Sequence, residues 1–266
     1  MAPIRRLSAE QEPFLTARSL ATTYSRGFVI QPHTHGWHQL LHACTGAMTV
    51  LAGSFSWMIP PGRAVVIPAG CLHSIRMWGD VAMRSIYFPA SVEAPVFATS
   101  VCRVISVSPL LRETILRVVE RAGLDARDPR DAHLMAVLLD EIDAPPEEPL
   151  VLPMPQDPRA LPVAQQILSA PAADETLQAL ARQHGASSRT LERVFRGETG
   201  MSFGVWRQKA RLLWSIRILA AGGSVTEAAL DSGYGSVSAF IAAFKQTFGS
   251  TPGTMIESGG AGPPGA

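Results

Sequence analysis

Cysteine is scarce in this chain. Cys44, Cys71 and Cys102 are its only three, odd in number and widely spaced, so the sequence offers neither a disulfide framework nor a Cys-x-x-Cys metal knuckle. Long apolar runs are missing as well. No stretch approaches the ~18 consecutive apolar residues of a membrane span, and the opening MAPIRRLSAEQEPF lacks the apolar segment of a signal peptide. These absences predict a cytoplasmic chain with no membrane partner and with reduced, mostly buried thiols. A large excess of charge is absent too, the formal net charge being +1. What is present is a globular composition, 47% hydrophobic and 17% charged over 266 residues, enough for one large or two ordinary domains and too apolar for dominant disorder.

The near-neutral total hides an uneven distribution. Residues 158–257 hold ten Lys/Arg against seven Asp/Glu, a balance of +3, and the remainder holds 13 against 15, a balance of −2. Between 182 and 217 eight basic residues (Arg182, Arg189, Arg193, Arg196, Arg207, Lys209, Arg211, Arg217) face two acidic ones, Glu192 and Glu198. Such a run is either a phosphate-binding surface or a solvated helix face.

Six prolines in 144–158, APPEEPLVLPMPQDP, oppose helix and central strand, and predict an extended linker between domains. Ahead of it, 1–107 carries short runs rich in Val, Ile, Phe and Tyr punctuated by Gly and Pro, the texture of a small barrel or sandwich. Apolar spacing predicts helices at about 108–122 and 129–143. Their stripes (Leu111, Ile115, Val118, Val119 and Leu134, Val137, Leu138, Glu141) suit either a cover for the barrel or a dimer seam. The region 159–257 reads as all helix, and 258–266, SGGAGPPGA, as a disordered tail.

The helical region repeats itself. TLQALARQHG leads through Gly185 to SSRTLERVFRGETG, and SVTEAALDSG leads through Gly233 to SVSAFIAAFKQTFG. A short amphipathic helix, a glycine turn and a second helix opened by Ser or Thr is the helix-turn-helix plan. One instance is weak evidence, since helical hairpins occur in folds that never meet DNA. Two in tandem, joined by MSFGVWRQKARLLWSIRILAAGG as one helix of ~30 Å, match the ~34 Å between successive major grooves on one face of B-DNA.

On LARQHGASSRTLERVFRGETGMSF and VTEAALDSGYGSVSAFIAAFKQTFGSTP, with Ala228, Ala229, Gly233, Tyr234, Phe240, Phe244, Phe248, Gly249 and Pro252 in place, the chain resembles the AraC/XylS family of transcription regulators. The resemblance implies double-stranded DNA as partner, with the second helix of each unit in the major groove. Carried over, it places Ser188, Arg189, Glu192 and Arg193 at bases with Arg196 towards phosphate, and in the second unit Val237, Ser238, Ile241 and Ala242, with Ser236 and Lys245 towards phosphate. Val, Ile and Ala cannot form the bidentate bonds that discriminate guanine or adenine, so unequal recognition is expected, the first unit dominating. Val237 and Ile241 could instead pack inside their unit.

Five of the seven histidines lie before residue 74. Gly27, His33, His35, Gln39 and Gly46 follow the first cupin motif, which has Glu where this chain has Gln. Gly62, Pro68, Gly70 and His73 follow the second, which ends in Asn where this chain has Met77. The resemblance implies a divalent transition metal (Zn, Fe, Ni or Cu) on His33, His35 and His73 with Gln39 beside it. The alternation of a strand would turn His33 and His35 to one side, and imidazole suits these metals. The neutral amide weakens the case for metal and leaves a metal-free polar floor for an organic effector open. His38 and His42 could be ligands or exposed, and His184 carries no chemical duty.

The resulting expectation is an α+β chain of two domains: a cupin-like β-barrel with two helices, then an all-α tandem helix-turn-helix. As a transcription regulator it would respond to a small molecule or metal, act as a homodimer and meet RNA polymerase. The rival is a cupin enzyme, a metal-dependent oxygenase or isomerase with an appended DNA module. That rival needs an acid or base in the cavity, and 63–78 supplies no acidic residue.

Overall fold

Strict alternation organises the first half of the computed structural model, which describes residues 15–143, 145 and 150–257. Along β6 (His73–Pro89) nearly every second side chain is buried, which marks a strand with one face on a core. It pairs antiparallel with β3 (Trp37–Ala52) along the whole length of both, from Trp37 opposite Pro89 to Ala52 opposite His73. The two long strands are bent where their register shifts, between Ala43 and Ala47, and so serve two halves of one curled sheet. One half carries β1 (Leu15–Tyr24) beside β6 and β5 (Arg63–Ile67) beside β3, with β8 (Gly123–Asp125) and β7 (Arg103–Ser106) at its edges. The other carries β2 (Val29–His33) on β6 and β4 (Phe55–Ile59) on β3, with β9 (Val151–Pro153) beyond. The expected barrel is thus a single antiparallel sheet curled into a half-barrel.

Helices α1 (Pro109–Glu120) and α2 (Pro129–Ile142) start at Ser108 and Asp128, each accepting a backbone N–H and each followed by Pro at the first helical position. Leu111, Ile115 and Val118 of α1 and Leu138 and Ile142 of α2 are buried with Leu40, Val66, Ile86 and Phe88 of the sheet. Covering the sheet is therefore what the α1 stripe does. Of the α2 stripe, Leu138 is buried whereas Val137 is exposed.

The second half packs α3 (Ala160–Ser169), α4 (Leu177–Gln183), α5 (Ser188–Thr199), α6 (Phe203–Ala220), α7 (Val225–Asp231), α8 (Val237–Phe248) and α9 (Pro252–Glu257). Thr176, Ser187, Ser202, Ser224 and Ser236 each accept a backbone N–H at a helix start, so five of these helices are opened by their own sequence. Trp206 of α6 is fully buried, edge-on to Phe195, and donates its indole N–H to Pro153 O at 2.7 Å.

That bond corrects the expected linker. Its second half is extended but not free: β9 pairs with β4, Met154 N–H donates to Ser54 O at 2.7 Å, and Glu198 of α5 accepts from Gln156 and Asp157 N–H. β9 pairs only with β4, and such an edge strand tolerates proline because its unpaired side needs no donor. Residue 144, residues 146–149 and the expected tail 258–266 lie outside the described residues. One apolar cluster runs from Met48, Ile75 and Met77 of the sheet to Leu213, Phe240 and Phe244 of the helices, so the two units share a core.

Candidate functional site

Two groups of side chains carry chemistry. The first lies on the outward faces of the two helix-turn-helix units. In the turns, Gly185 and Gly233 have φ of +65° and +80°, a conformation that disfavours side chains. A Cβ on Gly233 would also stand 3.1 Å from Ala172 Cα. Each turn delivers a 12-residue second helix, α5 or α8, capped at its end by a left-handed glycine. On α5, Leu191, Val194 and Phe195 face inward, which leaves Arg189, Arg193 and Arg196 exposed and Ser188 and Glu192 half-buried. Glu192 and Arg196 form an i,i+4 pair at 3.7 Å, a surface contact weak enough to exchange for phosphate.

On α8, Phe240 and Phe244 are fully buried, and Val237 and Ile241 are half-buried against the same core. The outward face is left to Ser236, Ser238, Ala242 and Lys245, together with Ala239 and Gln246, which motif matching missed. Counting three and four residues on from Ser238 and Ala242 would have found Gln246.

The basic run divides in a way that charge counting missed. Arg207 donates to Glu175 O at 2.7 Å and to Ala173 O, and Arg211 donates to Pro171 O at 2.8 Å and Ala173 O at 3.2 Å. These two hold the loop before α4, and Arg217 is buried against the sheet. Of the eight, Arg182, Arg189, Arg193 and Arg196 are the exposed ones. His184 is structural, bonded through Nε2 to Gln166 Oε1 at 2.9 Å.

The second group is the histidine cluster. His33 ends β2 and lies directly opposite His73 at the start of β6, while His35 sits in the turn between β2 and β3. The turn, not strand alternation, brings His35 round. One nitrogen from each ring lies within 4.8 Å of the others. Each Nδ1 sits against a backbone carbonyl: His33 on Gln31 O at 2.9 Å, His35 on Trp37 O at 2.8 Å, His73 on Cys71 O at 2.9 Å. A carbonyl only accepts, so each Nδ1 carries the proton, and in the neutral ring Nε2 is left with its lone pair. His73 is 1% exposed, its Nε2 has no partner among the described residues, and burial pulls its pKa down to about 4. It is a neutral, unpartnered donor.

Gln39 joins the cluster from β3. Its amide nitrogen lies 3.1 Å from Ser85 Oγ and from Tyr87 OH, and its Oε1 3.1 Å from His35 Nε2. Two acceptors then face each other, an arrangement that a cation between them would reconcile. Turned over, the amide donates to His35 and accepts from both hydroxyls, a closed neutral network.

His38 and His42 belong to the opposite face of the sheet, beneath the helices. His38 stacks on Phe97 with centroids 4.2 Å apart and accepts from Ala69 N–H. His42 is buried, its Nδ1 on Arg63 O at 2.9 Å. Neither is exposed and neither joins the cluster. Met77, in place of the motif's Asn, is fully buried in the apolar core.

Residues 18–138 match an AraC-like ligand binding domain, and residues 180–258 match a helix-turn-helix domain. Over 225 residues, covering 84% of this chain and 81% of the relative, the sequence is 33% identical to the HTH-type transcriptional regulator NimR of Escherichia coli K12. The chain belongs to the AraC family of transcriptional regulators. A shorter match, 36% identical over 88 residues, covers 32% of this chain and 27% of the regulator RipA of Corynebacterium glutamicum. Among solved structures, ToxT of Vibrio cholerae aligns over 91% of this chain and 98% of its own at 11% identity, with a TM-score of 0.40. The regulator thus couples a DNA-binding helix-turn-helix module to a ligand-binding half-barrel. Among the described residues no helix is long and apolar enough to cross a membrane.

Proposed function

We propose that this regulator senses through a divalent transition metal held by His33, His35 and His73, with Gln39 orienting His35. The observation that carries the reading is the set of three Nδ1 protons spent on backbone carbonyls, with one nitrogen of each ring within 4.8 Å of the others and His73 Nε2 buried without a partner among the described residues. Zn, Fe, Ni and Cu all accept such a set, and three histidines leave further coordination positions open to an effector. When bound, the metal would supply one fixed cation tying β2, the following turn and β6. This chain's part is to present the three nitrogens and to carry the constraint along β6 to Trp78, whose ring meets Trp214 of α6 at 5.7 Å between centroids.

On the DNA side, Arg189 and Arg193 read base edges and Arg196 with Lys245 holds phosphate. The protein works in the cytoplasm as a homodimer on double-stranded operator DNA, within reach of RNA polymerase. The exposed Leu110 and Val137 offer an apolar seam on the outer side of α1 and α2. No catalytic step is assigned, because among the described residues no carboxylate joins the histidine cluster as acid or base.

The test is metal analysis of protein purified without a histidine tag. About one metal per chain is expected, lost in His35→Ala and held more tightly in Gln39→Glu, with operator affinity changing on metal removal. Metal content unchanged in His35→Ala, or no uptake of Zn²⁺, Fe²⁺, Ni²⁺ or Cu²⁺ by the intact chain, leaves the cluster as a polar floor for an organic effector.

A further inference from the structure

The three cysteines differ in their surroundings. Cys71 lies in the connection between β5 and β6 and Cys102 just ahead of β7, 31 residues further on, yet their sulfurs stand 3.7 Å apart. Cys102 is buried and Cys71 half-buried, whereas Cys44 sits apart at the bend of β3. A disulfide needs its sulfurs at ~2.05 Å, so closing the bond asks for a movement of ~1.7 Å shared between two segments. Neither segment is in the sheet at its cysteine, since β6 begins at His73 and β7 at Arg103. The movement therefore breaks no strand pairing.

The pair also lies at an opening. Both cysteines, with Phe55, Trp57, Leu72 and Val101, line a cavity of about 350 Å³, and Leu72 and Val101 at its rim are 60% and 47% exposed. A water molecule takes up ~30 Å³, so an oxidant little larger than water enters with room to spare. Burial and the neighbouring Cys71 sulfur hold the Cys102 thiol well above the ordinary cysteine range. Cys102 is thus the poorer nucleophile, and Cys71, nearer solvent, is the sulfur that meets an oxidant first.

We propose that Cys71 and Cys102 form an oxidation site at which hydrogen peroxide joins them in a disulfide within one chain. The Cys71 sulfur attacks one peroxide oxygen, the O–O bond breaks, and the displaced hydroxyl leaves as water with the thiol proton, which makes Cys71 a sulfenic acid. The Cys102 sulfur then attacks the Cys71 sulfur; the S–O bond breaks, and the hydroxyl takes the Cys102 proton as a second water. Each sulfur gives up one electron, and one peroxide is reduced to two waters. A dithiol reductant reverses the bond by exchange, as suits a transient, sensing disulfide in a reducing compartment. The bond fixes the connection whose Cys71 carbonyl holds the His73 ring. Its formation needs no metal, so the site stands or falls independently of the metal reading.

The experiment takes the full chain, reduced, freed of metal with EDTA and desalted, treats it with hydrogen peroxide, counts free thiols and maps peptides without reductant. Free thiols are expected to fall from three to one, Cys44 remaining, with the Cys71 and Cys102 peptides joined within one chain and released by dithiothreitol. Cys71→Ala is expected to abolish the bond, whereas Cys102→Ala leaves a sulfenic acid on Cys71 that dimedone captures. Three thiols still free, Cys44 consumed as readily as the pair, or links only between chains overturns the proposal. Should either variant not fold, the thiol count and peptide map of the unmodified chain decide alone.

Discussion

The two helix-turn-helix units are built alike and finished differently. Gly200 and Gly249 lie 49 residues apart, and at that offset Phe195 corresponds to Phe244, both fully buried. Ser187 and Ser236 cap the second helices in the same way. On the outward face the correspondence fails: Arg189, Arg193 and Arg196 of the first unit answer to Ser238, Ala242 and Lys245 of the second. Inward positions must fill the same space in both units and so stay apolar, whereas outward positions answer only to what they touch. A shared scaffold therefore says nothing about shared recognition.

The largest expected effect tests the shared part. Phe195→Ala and Phe244→Ala should each destabilise by about 3–5 kcal/mol, since each empties a fully buried site. Denaturant unfolding checks this, and a loss below about 1 kcal/mol in only one of them would break the equivalence of the two cores.

The next effect tests the divergence. Arg193→Ala should cost about 1–3 kcal/mol of operator affinity and relax preference at one base pair, whereas Ala242→Ser at the matching position should leave base preference where it was. Competition binding against single-base operator variants measures both. A larger change of preference in Ala242→Ser would reverse the assigned roles of the two units.

The smallest effect separates reading from holding. Arg196→Ala should weaken binding to all sequences alike and flatten the dependence of log K on log salt by about one, because one phosphate contact and its released counterions are lost. The Glu192–Arg196 pair does not oppose this, being exposed and weak. Titrations at several salt concentrations that show Arg196→Ala relaxing base preference as much as Arg193→Ala would mean that the face of α5 is turned from where the structure places it.

Legibility in the sequence followed the range of the interactions. Serine caps, glycine turns and the Leu and Phe stripes act within a few residues, and every one of those helices stands near where its pattern predicts. The motif spacing also picked out His33, His35, Gln39 and His73, which the fold brings together. Charge counting did worse. Eight basic residues looked like one surface, yet Arg207 and Arg211 hold backbone carbonyls 32 to 40 residues away, and Arg217 sits between two tryptophans. Proline counting found an extended segment but not the edge strand that it makes with β4.

By itself the sequence determined the tandem units and the chain direction through each turn, because these depend on local backbone preference; motif spacing named the histidine set, but His73 reaches it only through the pairing of β6 with β2. Tertiary structure alone decided which arginines face solvent, that Val237 and Ile241 are half-buried, that His38 and His42 lie under the helices, and that the half-barrel and the helices share one core. Each of those outcomes depends on a partner brought in from a distant part of the chain, and burial has no meaning for a residue until that partner is in place.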